Sequence, residues 1–199
     1  MAIKFQYNKT SLQALNKDLK IRVRALPTLQ SKEAALRMEV KRAKKKSAEL
    51  EQELKNHMEE YDNMVRLWGE FDKELISIKD VKLSVKKIAG TKTPILDDII
   101  LDIKEFSLFN KPAWFMQGIE IIEALVRISI EREVFYKKME LLEHARKKTT
   151  QKVNLYEKVQ IPGYEEAIQK VKRFLEDEEN LSKSSQKIVK KRQQQKEVA

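Results

Sequence analysis

The sequence predicts a mainly α-helical protein, a long antiparallel two-helix coiled coil formed by N- and C-terminal helices, with a small middle segment, a β-hairpin, at the closed end. Three observations carry this. Only four glycines and four prolines punctuate 199 residues, of which 36% are charged and 41% hydrophobic; that balance suits long helices that expose most of their surface, not a compact globule. From Leu36 an apolar seam advances in alternating steps of four and three through Val40, Ala43, Ser47, Leu50, Leu54, His57, Tyr61, Met64, Trp68, Phe71 and Leu75. This is the spacing of a helix that buries one narrow stripe against another helix. A second stripe follows Pro112, so the chain supplies its own partner.

Residues 1–77 form the N-terminal long helix. Asn8, Thr10 and Ser11 can cap it, and Leu12, Leu15, Leu19, Leu26 and Leu29 extend a looser version of the stripe upstream. A helix from about residue 9 to 77 spans roughly 100 Å, with Pro27 as an obstacle inside it. In the middle segment, 78–115, Val81, Leu83 and Val85 alternate with polar residues. Gly90-Thr91-Lys92-Thr93-Pro94 then supplies turn chemistry, and Ile99, Leu101 and Ile103 alternate again. A loosely helical loop is the alternative to a hairpin here. Two strands alone are marginal in water, so the hairpin should lean on the coil through Trp114 and Phe115. Residues 116–192 form the C-terminal long helix, apolar at Ile119, Ile122, Val126, Phe135, Met139 and Leu142, interrupted at Pro162-Gly163, and resuming with Ile168, Val171, Leu175, Ile188 and Val189. Residues 193–199 read as a disordered tail.

A net charge of +10 and a pI near 9.5 imply an acidic partner. With no cysteine, disulfides and thiolate metal sites drop out and an intracellular setting is the simpler reading. No apolar run approaches the ~18 residues of a membrane span, and Met1-Ala2-Ile3-Lys4-Phe5 lacks the apolar core of a signal peptide, so a cytoplasmic location is expected. The two histidines, His57 and His144, share no metal spacing. No phosphate loop, nucleophile elbow or paired-carboxylate pocket can be drawn. No catalytic, cofactor-binding or metal-binding residue is therefore assigned. The aromatics lie mostly on helical seams or at the closed end and offer no stacking platform, so no nucleic acid is expected.

If the helices turn back symmetrically about residues 78 and 115, facing positions sum to about 193. Lys41, Arg42, Lys44 and Lys45 then share a level with Lys147, Lys148 and Lys152 as a positive collar. Beside it, Glu49, Glu51 and Glu53 face Glu140, Glu143, His144 and Arg146. Pro162 falls near Pro27, which predicts a bend or loosening of both helices at one level. A solvated face is the simpler reading of the collar; like charges gathered at one height nevertheless cost stability unless a partner offsets them.

The string Lys152-Val153-Asn154-Leu155-Tyr156-Glu157-Lys158-Val159-Gln160-Ile161-Pro162 resembles the Arg/Lys-Val-Asn-Ala-Leu-Glu-x-Val-x-Ile-Pro segment of the D subunit of the V-type and archaeal-type ATPases. The matching signature residues are Lys152, Val153, Asn154, Glu157, Val159, Ile161 and Pro162. Asn8-Lys9-Thr10-Ser11-Leu12 is similar to the family's opening element, and Leu29, Lys32 and Leu36 to its Leu-x-x-Lys-x-x-x-Leu segment. Ala167 to Glu179 is similar to its Ile-rich stretch ending in acidic residues. Departures at Leu155-Tyr156, Glu33-Ala34, Pro27 and Gly163 point to a divergent bacterial member.

What the resemblance implies is the central rotor shaft of a rotary ATPase, which transmits torque between ATP hydrolysis or synthesis in a catalytic hexamer and translocation of protons or sodium ions in the membrane sector. Implied partners are the catalytic and regulatory nucleotide-binding subunits of the hexamer, the F subunit of the stalk and the component that couples the shaft to the membrane ring. The implied location is peripheral to the membrane, with no span of its own and no catalytic site. Lys41, Arg42, Lys44, Lys45, Lys147 and Lys148 become candidate rotor-stator contacts. A structural or adaptor coiled coil that binds other helical proteins is the competing reading.

Overall fold

The computed structural model describes residues 3–61, 65–107, 109 and 111–197. In chain order these form α1 (Lys9–Glu60), α2 (Val65–Trp68), a 3₁₀ turn (Lys73–Leu75), β1 (Ile76–Ile88), β2 (Thr91–Ile103), α3 (Phe115–Leu155), a π-helical turn (Tyr156–Gln160) and α4 (Ile161–Glu197). The chain divides into two compact units, Met1–Ser31 with Thr149–Ala199, and Lys32–Lys148.

In the first unit α1 starts at a well-formed cap. Asn8 Oδ1 accepts from the backbone N–H of Ser11 at 2.6 Å, and Ser11 Oγ accepts from the N–H of Gln6, so two otherwise orphaned donors are satisfied. Leu15 on α1 packs with Ala167, Ile168 and Val171 on α4, flanked by Leu12, Leu19, Tyr164 and Leu175. Ile3 and Phe5 of an extended N-terminal strap close over this core. Tyr7 meets Phe5 edge-on at 5.5 Å between ring centroids and tilts against Phe174 at 4.8 Å. Pro27 sits inside an unbroken α1 on its exposed side, where the carbonyl it leaves unpaired can be hydrated. α4 continues to Glu197; the stretch from 193 expected as a tail is helical to that residue, and 198 and 199 lie outside the described residues.

In the second unit the expected seam is the least exposed line of α1. Leu36, Ala43, Ser47 and Leu50 are buried, while Val40, Leu54, His57 and Tyr61 are half-buried among exposed neighbours; Met64 lies outside the described residues. The helix expected to reach residue 77 instead stops at Glu60. Phe71 and Leu75 are still buried at seam spacing and Trp68 half-buried, but in a different setting. Phe71 and Leu75 join Phe115 and Ile119 in a core flanked by Trp68, Ile76, Phe106 and Trp114. Trp68 stands edge-on to Trp114 at 5.7 Å, and Phe71 lies 5.1 Å from Phe115. Each of these ring geometries is worth about 0.5–1.5 kcal/mol beyond burial. Asp72 caps the 3₁₀ turn by accepting from Glu74 N–H at 3.1 Å.

The middle segment is the expected hairpin, an antiparallel pair from Ile76↔Ile103 to Ile88↔Thr91 with irregularities between Ile78 and Asp80 and between Lys82 and Leu83. It turns through Ala89 (φ 47°) and Gly90 (φ 80°), the two positive-φ positions of a tight hairpin turn. Its foot is tied by Lys104 N–H donating to the Leu75 carbonyl at 3.0 Å and by the ion pair Lys104–Glu74 at 3.3 Å. The hairpin also leans further along the helices than Trp114 and Phe115. Pro94–Ile99 line a groove with Arg127, Glu131, Val134, Phe135 and Lys138 of α3, and a Cβ on Gly90 at the tip would stand 3.6 Å from Lys32 Nζ. Support on a second side explains why most of α3 between Ile119 and Phe135 is apolar around much of its circumference.

Candidate functional site

The signature segment lies at the junction of α3 and α4, inside the first unit. It contains the π-helical turn, in which Ile161 N–H donates to the Tyr156 carbonyl five residues back. Directly beyond stands Pro162, whose ring in an unbroken α-helix would crowd the Lys158 carbonyl; the wider turn gives it room. No residue of the turn is buried. Val153 and Ile161 are half-buried, whereas Lys152, Asn154, Glu157, Val159 and Pro162 are exposed. Most of the signature therefore faces outward and is not explained by the chain's own core.

From α1, Arg22 grips the turn. Its Nε donates to Gln160 Oε1 at 2.8 Å, its NH1 donates to the Asp18 carbonyl at 2.9 Å, and its guanidinium lies 4.4 Å over the Tyr164 ring. The Asp18 carboxylate sits 3.7 Å from Arg22 and accepts from the Tyr164 hydroxyl at 3.4 Å. Burial pushes the Tyr164 phenol up, helped by Asp18 and opposed by Arg22. Gly163 faces the strap, since a Cβ there would stand 3.2 Å from Ile3 Cδ1. Arg22, Asp18 and Tyr164 escape sequence reasoning because helical spacing alone does not fix which turns of two helices face each other.

The contacts also correct the expected level. Arg22 with Gln160 and Asp18 with Tyr164 each add to 182, not to about 193, an offset of about three turns. On this register Pro27 and Pro162 do not share a level, and only Pro162 is accompanied by a change of helix type. The physical reason is that the turn-back was placed at 78, whereas α1 ends at Glu60 and an aromatic core and hairpin follow.

In the second unit, Lys41, Arg42, Lys44, Lys45, Lys147 and Lys148 are all exposed. Lys44 and Lys147 line one groove with Val40, Met139, Glu140, Glu143, His144 and Arg146. The acidic and basic residues expected to face Glu49, Glu51 and Glu53 thus lie beside Val40 and Lys44. Glu143 is bound by Arg146 at 2.6 and 3.0 Å. Chiefly through that bond, and with help from Lys147 and Lys44, its carboxyl is held below the usual range against a smaller effect of burial. Arg42 pairs with Glu39 at 2.8 Å and Lys45 with Glu49 at 3.5 Å. Lys41, Lys44, Lys147 and Lys148 make none of the ion pairs found among the described residues. This is a band with carboxylates set into it, not an unbroken positive ring. His57 stacks on Tyr61 at 6.5 Å and lies 3.6 Å from Glu60. Among the described residues no helix is long and apolar enough to cross a membrane.

Comparison with known proteins agrees with the whole length of this arrangement. Residues 11–191 match the family model for the ATP synthase D subunit. The chain is 32% identical over 189 residues to the V-type ATP synthase D subunit of Borreliella burgdorferi, covering 94% of each chain. It is 29% identical over 200 residues to that of Chlamydia muridarum, covering 98% of each, and 26% identical to that of Chlamydia pneumoniae, covering 96% of this chain and 94% of the relative. A match through both terminal helices, the hairpin and the signature turn means that the chain belongs to the ATP synthase D-subunit family.

Proposed function

We infer that the protein is the central-stalk component, the rotor shaft, of a V/A-type rotary ATPase, and that it is a non-catalytic member of that complex. The observation that carries this reading is the end-to-end similarity to V-type ATP synthase D subunits. Sequential ATP binding and hydrolysis in the nucleotide-binding hexamer would push on the shaft, and rotation would drive ions through the membrane sector; synthesis runs the cycle backwards. As the family likeness implies, the segments that carry the two termini insert into the hexamer, while the middle segment meets the F subunit and the component coupled to the membrane ring. Nothing specific favours the adaptor reading over this one.

Two features suit the role. Paired helices joined along a narrow seam resist bending and twisting better than one helix does, and their outer faces are polar enough to turn within a ring without adhering. Exposed lysines interact with acidic stator surfaces at a small, salt-screened energy per contact, which can be remade at each step. Within the basic band, Lys41, Lys44, Lys147 and Lys148 are the best rotor-stator candidates, because Arg42 and Lys45 already hold carboxylates of their own helix. The outward signature residues Lys152, Asn154, Glu157 and Val159 are a second candidate surface for the hexamer.

The test is reconstitution. Mixed with the catalytic hexamer, the protein should form a one-to-one asymmetric complex, and its failure to bind would overturn the assignment. Within that complex, Lys41→Glu, Lys44→Glu, Lys147→Glu and Lys148→Glu together should lower ATP turnover and its salt dependence while leaving the helical circular dichroism intact. Unchanged turnover would remove the band from the mechanism.

A further inference from the structure

We propose that the π-helical turn at Tyr156–Gln160 absorbs one residue in excess of the seam's repeat, and that this turn, not Pro162, keeps the Tyr164, Ile168, Val171 and Leu175 face of α4 on α1. A single line of covered positions along this helix runs through Thr149, Val153, Tyr156, Gln160, Tyr164, Ile168, Val171 and Leu175. The steps alternate between four and three as far as Gln160, then run four, four, before a three returns. A regular heptad continued from Gln160 would bury 163, 167, 170 and 174. Gly163 and Ala167 are small and are covered on either phase, but Lys170 and Phe174 are exposed while Val171 is buried and Leu175 half-buried. The seam has moved by one residue. In an unbroken α-helix, one extra residue swings everything downstream by about 100°. A π-turn takes up the residue locally, and the two stretches of seam stay in line.

Two causes could hold this turn in place, the seam or the proline. Pro27 decides between them, because it occupies the interior of α1 with uninterrupted α-helix around it. A proline in this protein does not by itself demand a π-turn. Pro162 instead pins the position, since the chain there has no N–H to restore the α-helical bond. Arg22 marks the same level from the other helix by holding Gln160, the last residue of the turn, and Tyr164, the first seam position beyond it. Run as an unbroken α-helix, the same residues would turn the faces of Lys170 and Phe174 toward Leu15 and withdraw Val171.

The experiment uses the full chain and three variants: Lys158 deleted, an alanine inserted between Gln151 and Lys152, and Pro162→Ala. Thermal unfolding and backbone hydrogen exchange over residues 164–175 are measured. Deletion takes out the residue that the turn absorbs, so Ile168 and Val171 keep their face: Tm should change by no more than a few degrees and exchange at the two residues by less than about threefold. The insertion adds a further residue to the repeat and should lower Tm by roughly 10 °C and speed exchange at Ile168 and Val171 at least tenfold. Pro162→Ala should change Tm by no more than a few degrees. The proposal is overturned if deletion loses as much as the insertion, if the insertion changes neither readout, or if Pro162→Ala reproduces the loss caused by the insertion. All the readouts are on the isolated chain and so do not depend on the rotor assignment.

Discussion

Arg22 reaches from α1 to Gln160, the final residue of the π-turn, with Nε 2.8 Å from Oε1. The guanidinium is held on two further sides, by the Asp18 carbonyl at one edge and the Tyr164 ring beneath it. Arg22→Ala removes the hydrogen bond and the cation–π contact together and should cost about 1–2 kcal/mol in urea unfolding. Arg22→Lys should recover less than half of that, since an ammonium cannot donate sideways and stack at once. Equal stability of all three chains would show that the grip is ornamental.

The hairpin turn offers a gain. Ala89 holds φ at 47° beside Gly90, a left-handed conformation that costs an alanine about 1 kcal/mol and suits asparagine far better. Ala89→Asn should raise Tm by about 2 °C. Ala89→Val, β-branched at the same φ, should lower it; a shift of the same sign for both variants would contradict the turn assignment.

At the foot of the hairpin Asp72 accepts from the Glu74 N–H and pairs with Lys111 at 3.3 Å. The backbone hydrogen bond first, and Lys111 second, hold its carboxyl below the ordinary value of 3.8. A depressed folded-state pKa gives stability that is present above the unfolded value and lost as pH falls through the folded one. Asp72→Asn should therefore lower Tm at pH 7, with the gap to the wild-type protein closing below about pH 3.8. A gap independent of pH would mean that asparagine's shape, not its missing charge, is responsible.

Much of this architecture was legible because burial follows local periodicity. Leu36, Ala43, Ser47 and Leu50 are the buried line of α1, as their four-three spacing requires, and alternation around Gly90 placed both strands. Three things were not local. The aromatic core beyond α1 joins Trp68 to Trp114 and Phe71 to Phe115, pairs more than forty positions apart. The facing of the helices follows from contacts such as Asp18 with Tyr164, which no stripe on a single helix specifies. The one-residue shift at Gln160 hid behind Pro162, since a proline and a skipped residue both read as an interruption. The signature itself was readable as a string, but its outward orientation was not.

The N-terminal strap turns the start of the chain into a reporter. Ile3 lies against Gly163, so the segment ahead of α1 is seated on the turn where α4 begins. The sequence contains no cysteine, so a single cysteine introduced at residue 3 would carry a fluorophore with no competing thiol. Its emission would read whether strap and helix remain together while the rest of the molecule is under load.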